Sequence, residues 1–189
     1  MALGAPQPLD ARLSLDAFDC GNPALNEWLT RHAGQAHAGG SARTYVVVDD
    51  QRVASYFSLA VGQIDSLEAP ERARKGMGHY PIPVVILARL AVSMVDQGRG
   101  LGVGLLQDAI RRTLVVADQA GVRALLTQPI NEAAARFYLR FGFEVSPARE
   151  QQLILLLKDA RRLLVPASTK AGAAGSGEPN PKGESRKAG

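Results

Sequence analysis

The sequence predicts a mixed α/β domain of the α+β kind, in which a mostly antiparallel central sheet is flanked by helices. Three features predict it. Strand-like and helix-like segments alternate along the chain. The run PVVILARLAV (83–92) is too apolar for an exposed strand and therefore belongs in the middle of a sheet. Apolar residues that follow a glycine-rich stretch at 98–104 recur with helical spacing.

The first half of the chain is predicted to form a helix, a hairpin and a short helix. Asn22 suits the N-cap of the first helix, and Pro23 suits its first turn because the missing N–H is not needed there. The segment DDQR separates two β-branched, aromatic-containing runs and predicts the turn of a hairpin. The predicted bounds are a helix over 23–37, strands over 43–48 and 53–62, and a short helix within 66–75.

The second half is predicted to continue with alternating helices and strands after the central strand. Leu105, Leu106 and Ile110 lie on one side of a helix that begins at about Leu101 and stops at Gly121. The remaining predicted elements are a strand over 122–128, a helix over 131–141, a short strand at 143–145 and a last strand over 151–157.

The length and the charge distribution predict one domain and a tail. The 189 residues suffice for a single core, which we place at residues 1–165. Residues 166–189 are rich in Gly, Ala, Pro and Ser and are predicted to be a disordered tail. The tail has four basic and two acidic residues, so the domain keeps about half of the net charge of +4. A bulk charge this small is only a weak argument for nucleic-acid binding.

Several classes of protein are disfavoured by composition. The chain has no run of 18 apolar residues, and its N-terminus lacks the pattern of a signal peptide, so we expect a cytoplasmic protein that does not bind membranes. The single cysteine, Cys20, fits a reducing compartment. The three histidines have no metal-ligand spacing, and we therefore expect no metal.

The glycine-rich stretch predicts a cradle for a pyrophosphate. The first N–H groups of a helix have no partner within the helix, and the helix dipole favours an anion there. Glycine lets such a ligand approach the backbone. The Lys-Ser/Thr pair of a Walker motif is missing after Gly102, and Val103 stands where a Rossmann motif needs its third glycine. A middle strand of the chain is also the wrong place for a Rossmann site.

The pattern Gln97-x-x-Gly100-x-Gly102 resembles the acetyl-CoA loop of the GNAT (Gcn5-related N-acetyltransferase) superfamily. An apolar strand before the loop (LARLAVS, 87–93), a downstream Asn131 and the segment FYLRFGF (137–143) complete the resemblance, which covers about residues 10–160. The resemblance implies the GNAT fold, in which the strand before the loop splays from its neighbour at the acetyl-CoA site.

A narrower resemblance links the chain to the GNAT toxins of bacterial toxin–antitoxin modules. It rests on residues 18–36, 42–49 and 81–92 and on FYLRFGF. It implies acetylation of the α-amine of aminoacyl-tRNA, a block of translation, an antitoxin with a ribbon-helix-helix domain, and a homodimer. The broader GNAT resemblance implies which residues bind acetyl-CoA: the strand residues Leu90, Ala91 and Val92, the loop residues Gln97, Gly98, Arg99, Gly100, Leu101, Gly102 and Val103, and Asn131.

Tyr138 matches the tyrosine that protonates the coenzyme A thiolate in family members, although packing beside Phe137 and Phe141 is an alternative role. The central strand has no Asp, Glu or His to act as a base. An α-amine, with a pKa of about 7.7–8.0, needs a base less than a lysine with a pKa of about 10.4. The missing base therefore favours an aminoacyl acceptor, while Glu68 and His79 stay open as bases from other elements.

Four basic residues are candidates for substrate or RNA binding. Arg89 lies on the otherwise apolar strand, where an unpaired guanidinium is costly, so it should either pair with a carboxylate or face the substrate cleft. Arg72, Arg74 and Lys75 form a local basic cluster that is either a phosphate-binding surface or a solvated loop. Two other functions remain open: a GNAT enzyme for a protein N-terminus, lysine or small amine, and a non-catalytic GNAT-like binding module.

Overall fold

A computed structural model describes residues 3–164, so the expected tail at 166–189 lies outside the described residues. Seven strands form one sheet in the order β1-β2-β3-β4-β5-β7-β6. The elements are β1 (Gln7–Pro8), α1 (Pro23–Glu27), α2 (Ala33–Gly39), β2 (Arg43–Asp49), β3 (Arg52–Ile64), α3 (Glu71–Arg74), β4 (Ile82–Val92), α4 (Leu101–Gln119), β5 (Ala124–Thr127), α5 (Glu132–Arg140), β6 (Glu144–Val145), β7 (Leu153–Leu156) and α6 (Leu157–Leu164).

The sheet confirms the predicted mixed, mostly antiparallel arrangement. Each neighbouring pair of strands is antiparallel except β4 and β5. β4 pairs with β3 over its whole length, but it pairs with β5 only from Val84 to Leu87. The last five residues of β4, 88–92, therefore run on without a β5 partner, and the two strands part as expected.

Helices cover both faces of the sheet. On one face, Leu105, Leu106 and Ile110 of α4 pack with Tyr138 of α5 into the largest core cluster. On the other face there are two smaller clusters, one that contains Leu29 and Ala33 and one that contains Ala73 of α3. β4 contributes side chains to both faces, because successive residues of a strand point to opposite sides.

Local sequence signals place several element ends correctly. The Asn22 side chain accepts hydrogen bonds from the N–H groups of Ala24 and Leu25 at the start of α1. The expected helix over 23–37 is continuous through α2, but its middle turn, Trp28–His32, is π-helical. The expected short helix within 66–75 is divided into a 3₁₀ turn, Ser66–Glu68, and α3.

Two elements differ from the prediction at the ends of the described chain. The last strand is shorter than expected, because Leu157 already begins α6. Leu157 and Ala160 are buried while Lys158 and Arg161 are exposed, which is the pattern of an amphipathic helix. The two-residue edge strand β1 has no signal in its sequence. Within residues 3–164, no helix combines the length and the apolar character that crossing a bilayer requires.

Candidate active site

The glycine loop provides backbone N–H groups at the start of α4. Gly98 and Gly100 have φ angles of 78° and 79°, a left-handed conformation that glycine adopts without strain. Gly100 is the N-cap of α4, and no side chain caps the helix there. The first intrahelical bond is from Gly104 N to Gly100 O, at 3.2 Å. The preceding amides of α4 are therefore available to an anion at the positive end of the helix dipole.

Gly100→Val is expected to abolish acetyl-CoA binding while the fold survives. The φ of 79° is unfavourable for a branched residue, and the side chain would enter the open space above the loop. α4 keeps its buried Leu105, Leu106 and Ile110. In a thermal-shift assay, acetyl-CoA at about 100 times its Kd should raise the melting temperature of the wild type by roughly 5–10 °C and leave the variant unchanged.

Gly104→Ala is the matched control for this test. Gly104 is helical, and a Cβ added to it meets nothing within 4 Å. This variant should keep the full shift with acetyl-CoA. A full shift in Gly100→Val as well would remove the loop from the phosphate site.

The side chains of Gln97 and Arg99 fasten the loop. Gln97 Nε2 donates to the carbonyl oxygens of Val92 at 3.1 Å and Cys20 at 3.4 Å. Arg99 Nη1 donates to Asp96 Oδ1 at 2.6 Å. Their expected position next to the pyrophosphate stays a prediction, and the structure adds the role of holding the loop against the end of β4.

Asp96 is a site residue that the sequence analysis missed. It is 1% exposed, and its carboxylate accepts hydrogen bonds from Arg52 of β3 and Arg99 of the loop, both at 2.6 Å. The hydrogen bond from Arg52 is the largest cause that lowers the pKa of Asp96. The only signal in the sequence was an acidic residue directly before the loop. Its partner Arg52 lies 44 residues away and could not be inferred.

At the end of β4 that lacks a β5 partner, two residues have backbone polar groups that do not face a neighbouring strand. Ser93 N donates to Ala54 O of the neighbouring segment at 2.9 Å. Because an antiparallel ladder alternates, the Ala91 N–H also faces β3, while the polar groups of Leu90 and Val92 face away. The Val92 carbonyl is occupied by Gln97. This geometry argues against Ala91 as an amide donor to the cofactor. Pairing of Leu90 and Val92 with the pantetheine arm stays a prediction.

Asn131 acts as the N-cap of α5. Its Oδ1 accepts a hydrogen bond from Ala134 N at 2.8 Å, as a helix start requires. The cap fixes where α5 begins, and this in turn places Tyr138 two turns later. The contact between Asn131 and acetyl-CoA stays a prediction. The cap uses only Oδ1, so the side-chain amide nitrogen can still make this contact.

Tyr138 lies in the core cluster beneath the parting of β4 and β5. It is 6% exposed and packs edge-on against Phe137 and in a tilted arrangement against Phe143, with ring centroids 5.2 and 5.3 Å apart. Burial raises the pKa of Tyr138 to about 12, against a smaller lowering by a hydrogen bond with Thr127, the last residue of β5. The phenol is therefore protonated at neutral pH, as a proton donor must be.

A cavity of about 470 Å³ opens on the other face of the sheet, where β4 and β5 part. Its lining includes Leu87, Ala88 and Arg89 of β4 and Leu126 and Gln128 at the end of β5. We call it the acceptor cavity, because an amine entering there approaches the parted strands from the side opposite α4.

Arg89 faces the acceptor cavity and does not pair with a carboxylate. Its Cζ lies 4.3 Å from the centroid of the Trp28 ring, and burial lowers its pKa. Trp28 in turn stacks on Tyr56, with ring centroids 6.0 Å apart. No ion pair to Arg89 occurs among residues 3–164. Of the two expected roles, the structure favours the one in which this cation faces the cleft.

The three residues of the basic cluster differ in their ion pairs and their exposure. Arg72 forms ion pairs with Glu144 and with Asp159, the latter at 2.6 Å. Two carboxylates from distant parts of the chain thus compete with any phosphate for Arg72, whose side chain is still 43% exposed, and its role in RNA binding stays a prediction. Arg74 is half-buried, and Lys75 is exposed. All three basic residues line a cavity of about 910 Å³ that is separate from the acceptor cavity, and the role of Arg74 and Lys75 in RNA binding also stays a prediction.

The two candidate bases are also separated. His79 lines the cavity of Arg74 and Lys75, whereas Glu68 lines the acceptor cavity together with Arg89. Glu68 is thus the only one of the two near the parted strands. No cluster of three or more His, Cys, Asp or Glu side chains suited to a metal ion occurs in the described part of the chain.

Comparisons with known proteins identify the family of this chain. Residues 40–145 match the model of the acetyltransferase (GNAT) domain. A "tRNA-acetylating toxin" of Mycobacterium tuberculosis is 41% identical over 160 residues, which cover 85% of this chain and 96% of that protein. A "Probable toxin TacT" of Sinorhizobium fredii is 26% identical, with coverage of 84% and 93%.

Solved structures of similar fold include AtaT complexed with acetyl-methionyl-tRNAfMet, at a TM-score of 0.79 and 28% identity, covering 86% of this chain and 99% of that one. Another is AtaTR bound with acetyl-CoA, at a TM-score of 0.73 and 29% identity, covering 84% and 96%. The family model spans more than half of the chain, and the mycobacterial relative covers most of it. This chain belongs to the GNAT acetyltransferase family and is an acetyl-CoA-dependent acetyltransferase.

Proposed function

We propose that this protein is a toxin that transfers the acetyl group of acetyl-CoA to the α-amino group of aminoacyl-tRNA and thereby blocks translation. The observation that carries the proposal is the acceptor cavity, in which the unpaired Arg89 lies beside parted strands. An unpaired, partly buried guanidinium is suited to an anionic acceptor such as RNA, because a phosphate would satisfy its donors. The naming of the mycobacterial relative as a tRNA-acetylating toxin supports the same substrate class.

The chain's own residues account for each requirement of the reaction. Acetyl-CoA supplies the acetyl group as a thioester. The α4 amides bind the pyrophosphate of acetyl-CoA. The backbone groups of Leu90 and Val92 that face away from β3 align the pantetheine arm with the parted strands. A strand amide there also stabilises negative charge that develops on the thioester oxygen. Tyr138 donates the proton that the departing thiolate needs.

The acceptor's own acidity explains why β4 carries no base. An α-amine has a pKa of about 7.7–8.0, and the ester bond of an aminoacyl-tRNA lowers it further. A useful fraction of the acceptor is therefore neutral at pH 7 without help. A lysine side chain, with a pKa of about 10.4, lacks this advantage.

The proposed setting follows the resemblance to toxin–antitoxin modules. We place the protein in the cytoplasm as a homodimer that is neutralised by an antitoxin with a ribbon-helix-helix domain. One solved structure similar to this chain shows AtaT bound to the C-terminus of the antitoxin AtaR and acetyl-CoA, at a TM-score of 0.74 and 28% identity, covering 87% of this chain and 99% of that one. This supports a protein antitoxin as partner.

A GNAT enzyme for lysine or a small amine is the second candidate. Glu68 favours it, because this carboxylate in the acceptor cavity is the base that a lysine acceptor would need. A non-catalytic binding module has no such support, since the glycine loop has the open geometry that a pyrophosphate requires.

Labelled acetyl transfer separates these candidates. We expect the wild type to label charged tRNA but not deacylated tRNA or a lysine peptide, with kcat/KM falling as salt rises because phosphate contacts release counterions. Arg89→Gln should lower kcat/KM for charged tRNA about tenfold or more, since a charge-assisted contact is lost.

Arg31→Gln is the matched control, because Arg31 is exposed and pairs with Glu27 on α1. It should leave kcat/KM unchanged. Efficient labelling of the lysine peptide with no labelling of charged tRNA would reject the toxin function in favour of the second candidate.

A further inference from the structure

The acceptor cavity contains an ion pair that the site chemistry above does not use. Two carboxylates line the cavity, those of Asp65 and Glu68. Asp65 caps the following 3₁₀ turn, since its Oδ1 accepts from Leu67 N at 2.9 Å. Glu68 Oε1 instead lies 2.8 Å from Arg149 Nη2. Asp65 is exposed to solvent, whereas the Glu68 side chain is largely buried. Of the two, the Glu68 carboxylate is therefore the one that the cavity shields from water.

The two partners of this ion pair are held very differently. The Glu68 side chain is 16% exposed. Its backbone carbonyl accepts from Ser146 Oγ at 2.6 Å, and its Oε2 lies 3.5 Å from Nε2 of the buried Gln152. The Arg149 side chain is 60% exposed and belongs to a segment between β6 and β7 that has no regular secondary structure. A fixed carboxylate thus faces a guanidinium that can leave for solvent at little cost.

We propose that the Glu68–Arg149 ion pair recognises the acceptor amine, and that the acceptor's ammonium group replaces the Arg149 guanidinium on the Glu68 carboxylate. The inference deepens the proposed function and rests on it, in that it takes the acceptor to be an aminoacyl ester. Arg89 and Glu68 then divide the recognition between them. Arg89 meets the anionic part of the acceptor, and Glu68 binds the ammonium group. That group must pass a proton to the Glu68 carboxylate or to solvent before the neutral amine attacks the thioester.

The exchange also matches the charge of the cavity. Two positive residues in the cavity lining, Arg89 and Arg149, oppose two negative ones, Asp65 and Glu68. When Arg149 moves out, one positive charge is lost, and an ammonium group restores it. An uncharged analogue of the same shape does not restore this positive charge. If it displaces Arg149, it leaves the Glu68 carboxylate unpaired in a partly desolvated site, which is costly.

Fluorescence of Trp28 provides a readout that does not require tRNA. Trp28 is the only tryptophan in the sequence, and Arg89, which lies over its ring, lines the cavity. The full chain is titrated with alanine methyl ester and with methyl lactate, in which a hydroxyl replaces the amine. At about pH 6.5 the amine is mostly charged. We expect the wild type to bind the alanine ester about tenfold or more tightly than the lactate.

Two variants give opposite expected results. Glu68→Gln should remove the preference for the alanine ester, whereas Arg149→Met should strengthen binding of that ester because its internal competitor is gone. If the ion pair only maintained the fold, both variants would weaken binding alike. Asp118→Asn is the control, since Asp118 forms an ion pair with Arg161 between α4 and α6 and does not line the cavity.

The outcomes also distinguish this proposal from the proposed function. Equal binding of the two esters to the wild type, or an unchanged preference in Glu68→Gln, overturns the proposal even if charged tRNA is acetylated. A Glu68-dependent preference supports it even if tRNA is not the acceptor, in which case only the choice of RNA substrate fails.

Discussion

Tyr138→Phe is expected to lower kcat about 10²- to 10⁴-fold, the usual contribution of a general acid, while acetyl-CoA binding and stability stay close to those of the wild type. The substitution removes only a hydroxyl group. The ring keeps its contacts with Phe137 and Phe143, so the core cluster is not disturbed. Single-turnover kinetics with saturating acetyl-CoA measure the loss at the chemical step, and expression of the variant should relieve the growth arrest that the wild type causes.

Tyr45→Phe is the matched control for this variant. Tyr45 is also a phenol packed on a phenylalanine: it is half-buried and stacks on Phe57, with ring centroids 5.2 Å apart. It lies on β2, away from the parted strands. It should retain full activity. If Tyr138→Phe also kept kcat, Tyr138 would be a packing residue, and the proton donor would have to be found elsewhere.

The raised pKa of Tyr138 has a consequence for alkaline stability. Its folded value of about 12 lies above the unfolded value of about 10, so the folded state holds the proton longer. The stability that this provides is complete below about pH 10 and is lost as the pH rises toward 12. Neither activity nor stability should show an ionisation of Tyr138 between pH 6 and about 9.

Asp96→Ala is expected to reduce the free energy of unfolding by roughly 2–4 kcal/mol and to weaken acetyl-CoA binding. The carboxylate is buried, and removing it takes away the ion-pair partner that Arg99 has among the described residues and leaves Arg52 with Asp49 alone. These side chains are 32% and 46% exposed, so solvent reduces the cost below that of a fully buried pair. Because Arg99 belongs to the glycine loop, the loop loses its anchor to β3.

Urea denaturation at several pH values tests this account of Asp96. The pKa of Asp96 is lowered in the folded state, so its contribution is present above the unfolded pKa of about 3.9 and is lost as the pH falls through the folded value. The difference between wild type and variant should therefore shrink in acid. Asp49→Ala removes only the second, half-exposed partner of Arg52 and should cost much less. An equal cost would mean that burial of Asp96 is not decisive.

The fold was largely predictable because its main signals are local. The apolar run of β4, the leucine spacing of α4 and the Asn131 cap of α5 each lie within one element, and each is found where the sequence indicated. α6 was missed because its amphipathic pattern directly continues an apolar strand without a turn signal.

The site was predictable only where it consists of backbone. The glycine loop follows from local sequence and the unpaired end of β4 from the resemblance to the GNAT superfamily, whereas ion pairs join residues that are far apart in the chain. Arg72 meets Glu144 across 72 residues, and Asp96 meets Arg52 across 44. No local pattern reports such contacts. The sequence likewise could not decide whether Arg89 pairs with a carboxylate or faces the substrate cleft. That choice depends on the fold, which places Arg89 over Trp28.

The position of the transferred acetyl group tests the central claim most directly. Total charged tRNA is incubated with the protein and acetyl-CoA and digested with a ribonuclease, and the released aminoacyl-adenosines are fragmented by mass spectrometry. The account predicts one acetyl group on the α-nitrogen of the aminoacyl residue and none on the nucleotides or on deacylated tRNA. An acetyl group on a base, on a lysine ε-nitrogen, or on no tRNA product at all would contradict it.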